Sequence, residues 1–255
     1  MGEARREEIC FLLQEHGHLT VLELAQRFGV SEMTIRRDLQ VLSAMGLAQR
    51  KHGGALYPQT PLADAVFFSR LGEAEREKTL IGRMAADLVK EDESILLDAG
   101  TTTLAVAKAL KRCSMVLTNS LPIAAALGDR KDMTVILTGG EVRNATSALV
   151  GPITTQCLSG FNVDKLFLAA TGLDLARGLS TANLLESSVK RTMLRMAKMV
   201  IVVAHSEKMG QVYYHSFAQW DKIDMLITDS RLPATTRLAL TERGVKVTIA
   251  ELGQQ

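Results

Sequence analysis

A two-part α/β chain is predicted by three observations. Seven short apolar runs recur after residue 93, helical stretches alternate with them, and the first 57 residues follow a different, helix-dominated plan. Most of the runs lack polar alternation, as strands buried on both faces of a parallel sheet do. Their alternation with helices predicts a doubly wound α/β domain over residues 93–255. Residues 1–57 read as a winged helix-turn-helix, and residues 58–92 as a linker with a connector helix.

A chain of 255 residues has room for a small domain beside a medium one. Its 47% hydrophobic content supports a full core and excludes general disorder, and with only 4% aromatics that core must be aliphatic. No apolar run reaches the roughly 18 residues of a membrane helix. The charged start (Glu3, Arg5, Arg6, Glu7, Glu8) lacks the apolar centre of a secretory signal, so a cytoplasmic protein without membrane contact is expected. Cys10, Cys113 and Cys157 are scattered and odd in number, which suggests buried thiols, with no disulfide framework and no zinc site. No histidine pair has ligand spacing, so neither metal nor cofactor is expected.

Within the first part, Ile9, Leu12 and Leu13 make a helical stripe over residues 5–16 that ends at Gly17. Thr20 with Glu23 forms a capping-box pattern for a second helix whose apolar residues are Leu22, Leu24, Ala25 and Phe28. Gly29 suits the left-handed residue that ends it, and Ser31 caps a third helix with Glu32 in its first turn. In that helix Ile35, Leu39 and Leu42 recur at helical spacing and must face inward. Ser31, Glu32, Met33, Thr34, Arg36, Arg37 and Gln40 are left for the other faces. Gly46 closes the helix, and Leu47–Tyr57 fits two short strands around a basic tip of Arg50, Lys51, His52 and Gly53.

This order of helix, glycine turn, capped helix and basic hairpin is that of a module laying one helix in the major groove of double-stranded DNA. Bulk charge does not carry the reading, because residues 1–57 hold seven Lys/Arg against seven Asp/Glu. Distribution does: residues 31–57 hold four cations (Arg36, Arg37, Arg50, Lys51) against two anions (Glu32, Asp38).

After Pro58-Gln59-Thr60-Pro61, a charged helix over Glu73–Lys90 carries Leu80, Ile81, Met84, Ala85 and Leu88 on one side. The seven runs then follow at 95–97, 115–117, 135–137, 166–168, 200–203, 225–227 and 245–249, with crossover helices expected in 103–112, 183–197 and 234–243. Ligands of open α/β sheets bind outside the carboxyl ends of the strands. Here those ends carry Asp98, Gly100, Thr101, Thr102 and Thr103, then Asn119, Gly139 with Gly140, Gly172, and His205 with Lys208. Gly100-Thr101-Thr102-Thr103 opens directly into a helix, so its free amides and hydroxyls suit an anion such as phosphate. It lacks the G-x-x-x-x-G-K spacing of a nucleotide-hydrolysing loop.

Both halves closely resemble the deoxyribose-operon-repressor (DeoR) family of bacterial regulators. The first half matches its Val-Ser-x-x-Thr-Ile-Arg-Arg-Asp-Leu helix at Val30–Leu39 and its Arg-x-His-Gly-Gly-Ala wing at Arg50–Ala55. The second is similar in its Asp-x-Gly-Thr-Thr, Thr-Asn-Ser and Gly-Gly segments, and in Phe67-Phe68-Ser69-Arg70 with Lys78. The resemblance implies a sensor domain related in fold to ribose-phosphate isomerases and glucosamine-phosphate deaminases, which binds a phosphorylated sugar and thereby releases a repressor from its operator. One segment departs: where the family has Asp-x-Ser-Lys, this chain has His205-Ser206-Glu207-Lys208, replacing an acceptor-only carboxylate with an imidazole. The expectation is a DNA-binding repressor of a sugar-catabolism operon, working as a homo-oligomer (dimer or tetramer), because one small helix-turn-helix buries too little surface for operator specificity. The alternative is a phosphosugar isomerase or deaminase using Asp98, Glu141, His205 and Lys208 as acid–base groups. The same residues would also serve an activator.

Overall fold

The computed structural model describes residues 2–44, 48–51, 53–57 and 69–251. It divides into two compact units, Met1–Gly72 and Glu73–Gln255.

In the first unit, α1 (Gly2–His16) ends at Gly17, which takes φ +72°. β1 (His18–Thr20) leads into α2 (Val21–Phe28), whose start is held by the expected capping box. The Thr20 hydroxyl accepts from Glu23 N, and the Glu23 carboxylate accepts from Thr20 N. Gly29, at φ +63°, ends α2, and α3 (Glu32–Ala44) begins where Thr34 N donates to Ser31 Oγ at 3.3 Å. β2 (Gln49–Lys51) and β3 (Gly54–Leu56) form the wing, and α4 (Ser69–Gly72) ends the unit. Ile9, Leu12, Leu13, Leu24, Ile35, Leu39 and Leu42 are all buried in one core.

Two details differ from the sequence expectation. Leu22 is 56% exposed, because α2 starts at Val21 and its inward stripe is Val21, Leu24 and Ala25, at i, i+3 and i+4. β1 was not expected; it pairs antiparallel with β3 (Leu19 opposite Ala55) and completes a sheet of order β1-β3-β2. Gly54 permits that pairing, since a Cβ there would lie 2.3 Å from the Leu19 carbonyl oxygen. Gly46, Leu47, His52, Pro58–Pro61 and Phe67-Phe68 lie outside the described residues.

The second unit begins with α5 (Glu75–Ala86), which the sequence reading placed in a connector. It belongs to the α/β unit instead, because its inner face (Lys78, Ile81, Gly82, Ala85, Ala86) is buried there. Then come β4 (Ser94–Leu97), α6 (Thr101–Ala109), β5 (Met115–Thr118), α7 (Leu121–Leu127) and β6 (Thr134–Leu137). A hairpin of β7 (Glu141–Arg143) and β8 (Ala148–Val150) precedes α8 (Pro152–Leu158) and β9 (Val163–Leu168). β10 (Gly172–Asp174), β11 (Gly178–Thr181), α9 (Leu184–Leu194), β12 (Ala197–Val203) and β13 (His215–Ala218) follow. β14 (Met225–Asp229), α10 (Ala234–Thr241) and β15 (Lys246–Ala250) end the unit.

All seven apolar runs become strands of one parallel sheet, of order β15-β14-β12-β9-β4-β5-β6. β4 and β9 are the neighbours from which the order runs off in opposite directions. Right-handed crossovers then put the helices of the two halves on opposite faces, which is the doubly wound arrangement, with its crevice at the carboxyl ends of β4 and β9. Leu96, Leu117, Leu166, Leu168, Val202 and Leu226 form the middle of the core. A small antiparallel sheet, β10-β11-β13, accompanies the main sheet.

Candidate functional site

Two surfaces follow from this fold, one in each unit. On α3, Glu32, Met33, Arg36, Arg37 and Gln40 are exposed, as is Ser31 before it, while Thr34 is half-buried with its hydroxyl 2.9 Å from that of Ser31. Met33 is 74% exposed, an unusual position for a thioether on a soluble helix. Arg36 is tied to Glu32 one turn back at 3.0 Å, whereas Arg37 forms no ion pair among the described residues. Asp38, counted above as an opposing charge, is buried and turned inward to Arg5 on α1 at 2.7 Å, with Arg6 at 3.7 Å. Its charge is thereby neutralised, so α3 is more cationic on its outer face than the sequence count suggests. Arg50, Lys51 and Gly53 are exposed on the wing, with Gly53 at φ +83°. The patch thus offers exposed cations and short polar side chains on one helix and its wing, the combination that contacts phosphates and base edges.

The second surface is the crevice between the ends of β4 and β9. Gly100 starts α6, and a Cβ there would approach the Ala169 side chain to 2.8 Å, so glycine lets the two strand ends come together. The amides of Thr101, Thr102 and Thr103 find no acceptor among the described residues, and the helix begins with Leu104 N donating to Gly100 O at 3.0 Å. These amides and the helix dipole make a locally positive corner. Thr102 Oγ1 is buried there and has no hydrogen-bond partner among the described residues.

Several residues expected to meet a ligand are instead engaged inside the protein. Asp98, 1% exposed, accepts from Ala169 N at 3.0 Å and from the Lys190 ammonium. Burial pushes its carboxyl up, against the pull of Lys190 and of the Ala169 amide. Thr103 donates its hydroxyl to Gly100 O at 2.9 Å. Asn119 is used at both ends of its amide, accepting from Ala99 N and donating to Leu149 O, each at 3.0 Å. Gly140, at φ +137°, admits Thr154, whose hydroxyl donates to Gly139 O at 2.7 Å. Gly172 admits the Gln211 backbone in the same way. These residues shape the crevice from behind.

His205 and Lys208 follow β12, which pairs with β9 on the side away from β4. Lys208 Nζ donates to Ala170 O, just beyond β9, at 2.6 Å. His205 is 8% exposed, with Nε2 3.8 Å from Glu207 and a buried Nδ1 that has no partner among the described residues. Burial first, then the charges of Lys208 and Lys78, lower its pKa to about 4, so the imidazole is neutral at physiological pH. Ser206 is fixed by Asp229, which accepts from its amide at 2.7 Å and its hydroxyl at 2.8 Å. Beyond this loop lies a cavity of about 500 Å³ lined by Ser206, Glu207, Met209, Arg231 and others, none from residues 98–103.

Sequence reasoning missed the buried polar groups of α9. Glu186 accepts from Arg143 at 3.2 Å and from the hydroxyls of Thr146 (2.6 Å) and Thr181 (2.8 Å). Burial works against its charge, but Lys190, the two hydroxyls and Arg143 outweigh it and hold the pKa below the usual carboxylate value. Glu186 and Lys190 stand four residues apart, a spacing indistinguishable in sequence from an ordinary exposed helix pair. Of the cysteines only Cys113 is buried, its thiol pushed up by burial to about 11; Cys10 and Cys157 are half-buried. Among the described residues there is no cluster of metal-binding side chains and no helix long and apolar enough to cross a membrane.

Comparison with known proteins agrees with this division. Residues 5–60 match the DeoR-like helix-turn-helix domain and residues 73–230 the DeoR C-terminal sensor domain. The chain is 34% identical over 251 residues to the HTH-type transcriptional repressor GlcR of Bacillus subtilis, covering 98% of this chain and 96% of that one. It is 35% identical over 245 residues to the HTH-type transcriptional regulator GlpR of Haloferax volcanii, covering 95% and 96%. Among solved structures, ribose 5-phosphate isomerase A from Neisseria gonorrhoeae aligns over 52% of each chain with a TM-score of 0.38 and 16% identity. With both domain matches covering most of its length and relatives above 30% identity along nearly all of it, the chain belongs to the DeoR family of transcriptional regulators.

Proposed function

We propose that this chain represses a sugar-catabolism operon by binding operator DNA through α3 and the wing, and that a phosphorylated sugar in the β4–β9 crevice releases it. One observation carries the second half of the reading. The unaccepted amides at the start of α6 lie beside the orphaned Thr102 hydroxyl at the reversal of strand order, where a buried polar atom calls for a polar ligand. The first half is supported by the exposed arginines of α3 and by the repressor GlcR to which the chain is similar. In this reading residues 1–57 are the DNA-binding domain, and Ser31, Glu32, Met33, Thr34, Arg36, Arg37, Gln40, Arg50, Lys51, His52 and Gly53 form its contact surface. The protein is a cytoplasmic homo-oligomer and not an enzyme. Release is a shift of population: the ligand favours a subunit arrangement whose recognition helices no longer match adjacent half-sites.

The test has two arms. Fluorescence anisotropy with DNA from upstream of the protein's own gene should show salt-dependent binding. Replacing Arg37 by Ala should weaken it by about 1–3 kcal/mol if the side chain forks onto guanine. Undiminished affinity after Arg36→Ala with Arg37→Ala would reject the DNA surface. Adding sugar phosphates one at a time should dissociate the complex with at least one of them and without turnover of that compound. Steady turnover would favour the isomerase or deaminase alternative.

A further inference from the structure

The first unit exposes three large hydrophobic side chains among its described residues: Phe11 on α1, Leu22 on α2 and Met33 on α3. Met33 is the most open of them, at 74% against 58% for Phe11 and 56% for Leu22. A single exposed apolar residue on a protein surface is ordinary. What sets Met33 apart is its company. Residues three, four and seven apart share one face of a helix, so Met33 heads a stripe that continues through Arg36, Arg37 and Gln40, all of them exposed. Ile35, Leu39 and Leu42 are buried on the opposite face, and Asp38 is turned inward to Arg5.

The polar side chains at the start of this helix already have partners. The Ser31 and Thr34 hydroxyls lie 2.9 Å apart, and Ser31 Oγ also accepts from Thr34 N. The Glu32 carboxylate accepts from Arg36 at 3.0 Å. The Met33 thioether has no proton to give and accepts only weakly, so its means of recognition is apolar contact. Base edges in the major groove present hydrogen-bond donors and acceptors with one apolar exception, the 5-methyl group of thymine. Recognition helices meet base edges with their N-terminal residues, and Met33 is the second residue of α3.

We infer that Met33 is a specificity-determining residue that packs against the 5-methyl group of a thymine in the operator. The inference rests on the DNA-binding reading above and adds to it the base that one side chain selects. Arginine on this face suits guanine and glutamine suits adenine, each through a bidentate pair, and Met33 supplies the apolar member of the set. Cytosine and uracil have a bare ring carbon where thymine carries its methyl, so a thioether packed there disfavours both. An unbranched, polarisable side chain can also adapt its shape to the methyl group.

Selection from a random duplex pool by the full-length protein, followed by fluorescence anisotropy on the selected site, tests this. Each thymine of that site is replaced by uracil in turn, which removes one methyl group and keeps every hydrogen-bonding group. At least one replacement should cost wild type about 3- to 10-fold in affinity, the scale set by burying one methyl group. This scan does not depend on any variant's folding. Met33→Ala should bind the thymine site less tightly yet lose nothing further with uracil at that position. Met33→Leu, which keeps an apolar end, should retain part of the preference. The salt dependence of binding should be the same in all three proteins, since no phosphate contact is removed. Selection repeated with Met33→Ala should lose that thymine and keep the rest of the site. No uracil penalty at any position, or penalties equal in wild type and Met33→Ala, would overturn the assignment of Met33 alone and leave the DNA surface to Arg36 and Arg37. Wild type that enriches no sequence from the pool would overturn the DNA-binding reading itself, and this inference with it.

Discussion

Replacing Lys190 by Met removes the cation from beneath the crevice and leaves Asp98 behind. In the native protein the Lys190 ammonium donates to Asp98 and to Ala169 O, and lies 5.6 Å from the centre of the Phe217 ring. The two side chains are almost wholly enclosed, Lys190 at 6% and Asp98 at 1% exposure. Breaking such a pair from one side costs about 3–5 kcal/mol, because the remaining charge stays buried with too few partners. For a unit of this size that is a fall in melting temperature of roughly 6–20 °C. The single tryptophan, Trp220, is buried in the same unit with its indole N–H donating to Asp174 O at 2.8 Å, so its fluorescence in a urea titration reports this unit alone. The loss must also depend on pH. With its partner gone, the folded pKa of Asp98 rises further above the unfolded value of about 3.9. The folded state then binds the proton more tightly than the unfolded one, so the variant regains stability as pH falls through the folded pKa. The gap to wild type should narrow from pH 7 to pH 5, and should largely close at pH 7 when Asp98→Asn is added. A Lys190→Met protein within about 1 kcal/mol of wild type at pH 7 would refute the claim that this pair is a buried latch.

Three further outcomes are expected. Asp38→Asn weakens the charge-assisted bond to Arg5 and should cost the first unit about 1.5–3 kcal/mol, seen as faster amide exchange in α1 and α3 with little change around Trp220. His205, whose folded pKa of about 4 lies below the ordinary histidine value near 6.5, contributes stability that is complete above pH 6.5 and lost as pH falls towards 4. The loss is on the order of 3 kcal/mol, and acid titrations of His205→Leu should be flatter over that window. Gly140→Ala places a methyl 2.0 Å from Thr154 Oγ1 and 2.7 Å from Val150 O at φ +137°, and should cost about 2 kcal/mol or more by urea denaturation.

Regular elements were legible in the sequence because their signals are local. Each of the seven apolar runs is short, continuous and closed by small polar residues, and each became a strand of the parallel sheet. Thr20 with Glu23, and Gly29 after them, announce a helix start and stop that depend on four or five neighbouring residues only. What the sequence did not reveal depends on distant partners. Nothing in His18-Leu19-Thr20 marks a strand; it forms because β3 offers an edge that Gly54 leaves open. α5 looked like a connector because its charges are conspicuous, yet Ile81, Ala85 and the buried Lys78 turn one face inward. Glu186 and Lys190 likewise look solvated until Asp98 and Arg143, 92 and 43 residues away in sequence, come to meet them.

That contrast bears on how the crevice works. Its small polar residues were read as one set of ligand contacts, but the structure divides them. Asp98, Thr103, Asn119, Gly140 and Gly172 have their atoms or their missing side chains taken up by neighbouring backbone and side chains. Of the predicted contacts, the α6 amides, the Thr102 hydroxyl and the His205 Nδ1 are without a partner among the described residues. A phosphate-sized anion can be gripped by amides whatever else the ligand carries, since backbone N–H groups and a helix dipole read charge and not identity. In the proposed reading, discrimination among ligands that share a phosphate falls to side chains beyond those amides. On the β12 side the proposed site includes His205, at the position where the resemblance to the family implies an aspartate. In that reading, a neutral imidazole in place of a carboxylate changes which hydrogen bonds the position can make.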